Sequence, residues 1–410
     1  MRRSRNVLLA VAFLAASVTA VSAAPQATAA PEVSRAREAV AAPTPRWARK
    51  IDRLIGRRSF GVAVREGERF LYRHDQARQR IPASNEKLLL TMSILDALGP
   101  ESRLVTQAAG AAPVTGVIPG DLWILGQGDP ALDASRMERL ADAIQAAGVL
   151  RVEGSVKGST AFFKRDWRAP GWKRYFPREH IPLPTALTFE GNTANGVHIR
   201  DPELRAAVAL SRALKKRGIR VGGKADSGKP PQGLLPIAEI QSRPLVDLLE
   251  YTNRYSSNFF AEVLGKRLGA EHAGVPGSIA KGATAINAWA AEQGVRVSAK
   301  DSSGLSYANR VSPQGLVKLL GAAELQDWGE AMREALPRPG QGTLEGRMRH
   351  LQVHAKTGTL TSVSSLSGWV FLRRSGVWAE FSILSRGVPK DHAVRVEDAI
   401  VRILARSATI

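Results

Sequence analysis

The sequence predicts an α/β fold of the α+β kind, in which one domain is assembled from both ends of the chain and interrupted by an inserted, mostly β domain. Three observations predict it. Strand-like runs occur near both ends, at 60–73 and 356–384. Helical patterns fill 83–98 and 244–294. Between them, from about 105 to 235, short apolar runs alternate with Gly, Pro and Asp, as in "GDLWILGQGDPAL". The boundaries that follow are 46–105 and 236–410 for the main domain and 106–235 for the insertion.

Taken in order, the chain opens with a basic Arg2, Arg3 and Arg5, an apolar run from Val7 to about Ala20, and small residues at Val21-Ser22-Ala23. This is the pattern of a cleaved secretory signal over 1–23, followed by an Ala/Pro-rich linker over 24–45. The apolar run is short for a membrane span, and no other stretch is apolar enough for one. A helix is expected from Trp47 to Ile55, ended by Gly56. "FGVAV" and "RFLYR" around Arg65-Glu66-Gly67-Glu68 read as a β-hairpin. The helix "ASNEKLLLTMSILDAL" (83–98) is stopped by Gly99-Pro100. The insertion leaves through "GGKADSGKPPQG" (222–233), and helices return at 244–269 and 277–294. Ser278 and Ser312 read as helix N-caps, with Pro313 at the first helical position. "KTGTLTSVSSLSGWVFLRRSGVWAEFSIL" reads as two strands joined near Arg374-Ser375-Gly376, and "VEDAIVRILA" as a closing helix.

Composition narrows the chemistry. The 410 residues contain no cysteine, which excludes disulfides and thiolate metal sites, and seven histidines with no H-E-x-x-H motif (the pair His350 and His354 has the spacing but not the glutamate), which argues against a zinc enzyme. No phosphate-binding glycine loop and no 20–50-residue repeat occurs. Net charge is +21, or +18 without the three signal arginines. The basic residues are dispersed and carry no nucleic-acid-binding motif, so nucleic acid is not an expected partner. With 43 Arg and 15 Lys the charge fits a compositional bias as well as attraction to an anionic cell envelope.

One helix poses the chemical question. Nearly every position after Lys87 in 83–98 is apolar, yet a lysine sits on its first turn, three residues after Ser84. Residues at i and i+3 share a helix face. Burial favours the neutral amine, and a serine needs a base to act as a nucleophile. The helix N-terminus adds outward N–H groups for developing negative charge. The tetrapeptide alone is weak evidence, because a second one, Ser278-Ile279-Ala280-Lys281, reads as an N-cap and a solvated lysine. Two further segments raise the odds. Ser256-Ser257-Asn258 sits between two helical stretches, and Lys356-Thr357-Gly358-Thr359 opens a strand. Lys356 offers fixed positive charge, Gly358 room for a substrate along the strand edge, and the threonines hydroxyls and N–H groups. S-x-x-K, S-x-N and K-T-G in this order form the motif set of penicillin-binding proteins and β-lactamases.

With "GQGDPAL" (126–132), "DSSGLSYANRVSP" (301–313), "GQGTLEGRM" (340–348) and "HAKTGTLTSVSSLSGWV" (354–370), the chain resembles the class C low-molecular-mass penicillin-binding proteins, the D-alanyl-D-alanine carboxypeptidase/endopeptidase family. The resemblance implies a penicillin-binding-protein/β-lactamase-like transpeptidase domain whose antiparallel five-stranded sheet is flanked by helices. It implies Ser84 as the acylated nucleophile, Lys87 as its base, Ser256 as proton relay to the leaving D-alanine, and Lys356 as the source of local potential. Asn258 would bind the substrate amide; Lys356, Thr357 and Thr359 the terminal carboxylate; and the N–H groups of Ser84 and Thr359 the oxyanion. No cofactor or metal is implied. Peptidoglycan stem peptides are the implied substrate and β-lactams the implied covalent inhibitors, in an exported, wall-associated protein. Ser257 departs from the usual Asp of the second motif. A β-lactamase, which needs a second base that the sequence does not convincingly offer even in Glu190 of "TFEGNTANG", and a non-catalytic wall-binding protein are the alternatives. His354 reads as a packing residue, Asp301–Leu305 as a turn supporting the site wall, Asp129 as a turn former, and the eight tryptophans as core and domain contacts.

Overall fold

The computed structural model describes residues 45–408; the expected signal segment and, apart from Pro45, the linker lie outside them. The chain runs through α1 (Arg46–Ile55), β1 (Phe60–Glu66), β2 (Arg69–His74), a 3-10 turn at Ala83–Asn85 and α2 (Glu86–Leu98). The next segment holds β3 (Val105–Gly110), β4 (Val117–Ile118), β5 (Leu122–Gly126), α3 (Ala134–Ala146), β6 (Arg151–Val152) and β7 (Val156–Ser159). It continues with α4 (Phe176–Glu179), β8 (Thr193–Ala194), β9 (Val197–His198), α5 (Pro202–Lys216), β10 (Arg220–Val221), β11 (Asp226–Gly228) and β12 (Leu235–Gln241). Then come α6 (Leu245–Arg254), α7 (Asn258–Ala273), α8 (Ile279–Glu292), α9 (Pro313–Glu324), α10 (Gly329–Glu334), β13 (Val353–Leu360), β14 (Val363–Leu372), β15 (Val377–Arg386) and α11 (Lys390–Ser407).

The main sheet has the order β13-β14-β15-β1-β2, so the first two strands of the fold lie beside the last three. Every pairing is antiparallel, with Phe60 opposite Ser385 and Lys356 opposite Ser367. Alternating side chains supply a core to each face. Leu366, Val370, Phe381 and Ile383 pack against Ile51 and Ile55 of α1 and Ile400 and Leu404 of α11. Trp369 and Leu384 face α2, α7, α8 and α9. Helix α2 is buried at every position from Glu86 to Leu95, as expected of a helix apolar on all sides.

The C-terminal run contains one more turn than its pattern suggests. Thr361 and Ser362, the latter at φ 61°, separate β13 from β14, so three strands replace the expected two. The sequence there lacks the Gly or Pro that marks the second turn. Lys356 lies inside β13 rather than at its start. Ser278 and Ser312 cap α8 and α9 by accepting the backbone N–H of Lys281 and Gly315, both at 3.1 Å.

The middle segment builds a sheet of order β11-β7-β5-β3-β12 and a smaller one of order β10-β6-β4. Helices α3 and α5 pack over them through Leu140, Ile144, Leu210 and Leu214. Because β12 pairs with β3 from Leu235↔Gly110 to Gln241↔Val105, the strands of this segment run to Gln241, past the boundary expected at 235. Among the described residues, no helix is long and apolar enough to cross a membrane.

Candidate active site

Edge strand β13, the junction between α6 and α7, and the 3-10 turn before α2 converge on one cleft of about 440 Å³. Ser84, Ser256, Asn258, Thr357, Gly358 and Thr359 line it. Lys87 and Lys356 lie beneath, both fully buried. The eight residues singled out from three distant segments are thus brought together.

The 3-10 turn fixes Ser84. Ala83, at φ 49°, turns the chain into it, and its carbonyl is overlain by the wall loop: a Cβ at Gly304 would fall 2.0 Å from Ala83 O. Asn85, wholly buried, donates from Nδ2 to Lys356 O at 2.7 Å and accepts from Ser367 Oγ at 2.8 Å. It therefore pins the helix start to β13 and β14. No side-chain cap bond engages Ser84.

Lys87 Nζ donates to Asn258 Oδ1 at 2.9 Å and to Ser303 O at 2.5 Å, and lies 3.2 Å from Ser84 Oγ. A neutral amine has two N–H donors and one lone pair. The two acceptors consume the donors, so the lone pair is left for the serine hydroxyl. Desolvation pushes the Lys87 ammonium down to about 8, against the opposing charges of Asp301, Glu262 and Glu86. A base poised near neutrality suits proton abstraction.

Lys356 differs from expectation. Burial, and then the nearby Lys87, hold its ammonium well below the ordinary lysine range, so its charge is not fixed. Its Nζ donates to Thr357 O at 2.9 Å. Gly358 also has another reason to be glycine than the expected room for substrate. A Cβ there would lie 2.1 Å from Ser365 Oγ and 2.9 Å from both Pro82 O and Ser84 N. The strand must approach the nucleophile turn closely, and Ser365 Oγ seals the approach by donating to Pro82 O at 2.7 Å.

Ala355 N–H leaves the ladder for Pro337 O at 3.1 Å. By antiparallel alternation, the N–H groups of Thr357 and Thr359 face the free edge of the sheet. Ser256 sits at φ 55°, a strained value for a non-glycine residue between two helices. Ser257 caps α7 by accepting Phe260 N–H at 3.2 Å, a task that an Asp would perform equally well.

The remaining expectations separate cleanly. His354 packs edge-on against Trp378, bonds through Nδ1 with Arg333 O at 2.9 Å, and is pushed down to about 4 by burial. Asp301 accepts from Gly304 N at 3.0 Å, Ser306 N at 2.8 Å, Asn309 Nδ2 at 2.6 Å and Trp172 Nε1 at 2.6 Å, and so anchors the wall loop. Asp129 Oδ1 accepts Ala131 N–H at 3.0 Å in its turn. Glu190 pairs with Arg205 at 2.8 Å and does not line the cleft. The opposite wall was not foreseen: Tyr175, Phe176 and His180 reach the cleft from the middle segment. Only long-range packing brings them there, and no local motif announces it. Asn85 was equally silent, although a buried amide between Ser84 and Lys87 invites inspection.

A model of the D-Ala-D-Ala carboxypeptidase 3 (S13) family matches residues 49–193 and 186–407. The chain is 27% identical to a D-alanyl-D-alanine carboxypeptidase of Actinomadura sp. (strain R39), over 82% of this chain and 79% of that protein. It is 29% identical to carboxypeptidase DacB of Mycolicibacterium smegmatis, over 79% of this chain and 75% of the relative. In fold it is similar to penicillin binding protein 4 (dacB) of Haemophilus influenzae, with a TM-score of 0.76 at 20% identity, covering 88% of this chain and 99% of the other.

Proposed function

Because this chain belongs to the D-Ala-D-Ala carboxypeptidase 3 (S13) peptidase family, we propose that it is an exported serine DD-carboxypeptidase that removes the terminal D-alanine of peptidoglycan stem peptides. The observation that carries this reading is the three-fold environment of Lys87 Nζ, with two acceptors on its N–H groups and Ser84 Oγ at 3.2 Å.

Lys87 takes the Ser84 proton as Oγ attacks the penultimate carbonyl. The oxyanion forms against the N–H groups of Ser84 and Thr359. The C–N bond then breaks, and Ser256 passes a proton to the departing amine, leaving an ester on Ser84. Water hydrolyses the ester and restores the hydroxyl. Asn258 holds the substrate amide. The terminal carboxylate docks at Thr357 and Thr359, where it draws the buried Lys356 back to its charged form. β-Lactams acylate the same serine, since their ring presents a strained amide in place of the scissile bond.

Among the described residues lining the cleft there is no carboxylate. This favours a long-lived drug adduct over rapid β-lactam turnover, which would require a second base. Release of D-alanine from a diacyl-D-Ala-D-Ala peptide, together with one equivalent of fluorescent penicillin bound per chain, is the expected result. Neither event in purified protein would leave wall binding without catalysis as the function. Rapid nitrocefin turnover would indicate a β-lactamase.

A further inference from the structure

Helix α7 carries polar side chains at i, i+4 and i+8 along its mostly buried first three turns: Asn258, Glu262 and Lys266. Such a row forms one stripe along the helix. Asn258 is engaged by Lys87. Lys266 donates to Lys164 O, Asp166 O and Pro184 O at 2.8–3.0 Å and pairs with Asp166 at 2.8 Å, so its role is to hold the middle segment. The mechanism above assigns nothing to Glu262, which is fully buried between the two.

Glu262 Oε1 accepts the N–H of Ser302 at 2.9 Å and of Ser303 at 2.8 Å. These are the two amides preceding the Ser303 carbonyl that binds Lys87. The loop has no slack. A Cβ at Gly265 would meet Ser302 Oγ at 2.0 Å, and one at Gly304 would meet Ala83 O at 2.0 Å, so the loop is clamped between α7 and the nucleophile turn. A carboxyl oxygen accepting two successive N–H groups fixes the plane of the intervening peptide and aims the next carbonyl.

We propose that Glu262 is a positioning residue for acylation: by gripping the Ser302 and Ser303 amides it directs the Ser303 carbonyl onto one Lys87 N–H and so leaves the amine lone pair for Ser84. The inference rests on the DD-carboxypeptidase reading of the cleft. The charged and titratable groups around Lys87 are Glu86 on its own helix, Glu262 on α7, Asp301 on the wall loop and Lys356 on β13. Burial, and then the charge of Asp301, raise the Glu262 carboxyl to about 8, so losing Glu262 removes a partly ionised group that favours the ammonium. It also frees a carbonyl that accepts from the ammonium. Both effects move the acid limb of the acylation profile to lower pH.

The test is the rate of acylation by fluorescent penicillin across pH, with final stoichiometry, for the whole chain and its Glu262→Gln and Glu262→Leu variants. Gln keeps an oxygen for both amides, and its rate is expected within about threefold of the parent. Leu is expected to slow the plateau rate about tenfold or more, with the acid limb displaced downward and one adduct per folded chain still reached. A merely structural role would lower the stoichiometry and leave the rate constant and the limb in place; that result overturns the proposal. Loss in Gln equal to that in Leu also overturns it, because the two-amide grip would then not be the operative feature. No adduct on the parent protein removes the carboxypeptidase reading and this inference together, whereas a parent adduct with an unchanged Leu rate removes the inference alone.

Discussion

Two helix starts in this molecule carry the same spacing, Ser84-x-x-Lys87 and Ser278-x-x-Lys281, and they have opposite fates. At α8 the Ser278 hydroxyl accepts the Lys281 backbone N–H at 3.1 Å, and the Lys281 ammonium caps the end of α7 through Ala273 O and Gly274 O. At α2 a 3-10 turn precedes the helix and takes the serine out of the capping position. Its hydroxyl is free to face the lysine, which is buried among two acceptors. Spacing places a serine and a lysine on one face. The cover built over them by α7, the wall loop and β13 decides whether the pair can be reactive.

The comparison is broken or sharpened most strongly by removing the two hydroxyls. Ser84→Ala is expected to abolish the penicillin adduct, while Ser278→Ala leaves the acylation rate unchanged, both read by gel fluorescence. Next come the two amines. Lys87→Met should slow acylation by roughly 10²–10⁴-fold, the usual contribution of a positioned general base, whereas Lys281→Met should leave stopped-flow rates as they were. Gly358→Ala tests the close approach that only the first pair requires. Its Cβ would lie 2.1 Å from Ser365 Oγ and 2.9 Å from Ser84 N, so a stability loss of about 1–3 kcal/mol in urea unfolding is expected, together with slower acylation.

The pH profile comes next. Lys87 acts as the neutral amine, and burial has brought it down to about 8. The rate should therefore rise with pH through about 8 and level off above, with roughly a tenth of the plateau remaining at pH 7. A profile flat from pH 6 to 9 would contradict the buried-amine account. The smallest effect belongs to the second pair: loss of the Ser278 cap should lower stability by about 1 kcal/mol in thermal unfolding.

What could be read from sequence was local or motif-borne. The caps at Ser278 and Ser312, the 60–74 hairpin and the apolar α2 follow from hydrogen-bonding chemistry and periodicity within a few residues. The order of the three motifs by itself links Ser84, Ser256 and Lys356. Thr361-Ser362 is hard to read as a turn because it holds no Gly, Pro, Asn or Asp and lies among further Ser and Thr residues of the strands, yet Ser362 adopts φ 61° there. Sequence alone explains Gly358 and Lys356 only in part, since the close packing of β13 on the nucleophile turn and the mutual influence of two buried lysines exist only across some 270 residues of chain. The cleft wall at Tyr175, Phe176 and His180 was invisible for the same reason.

The chemistry depends on a sheltered amine drawing the proton from one particular alcohol. Peptide mass mapping of the protein after brief exposure to penicillin tests this most directly. A single adduct on the fragment containing Ser84, absent when Lys87 is replaced and exposure is kept equally brief, is the predicted outcome. An adduct on another side chain, or one that forms as fast without Lys87, would contradict it.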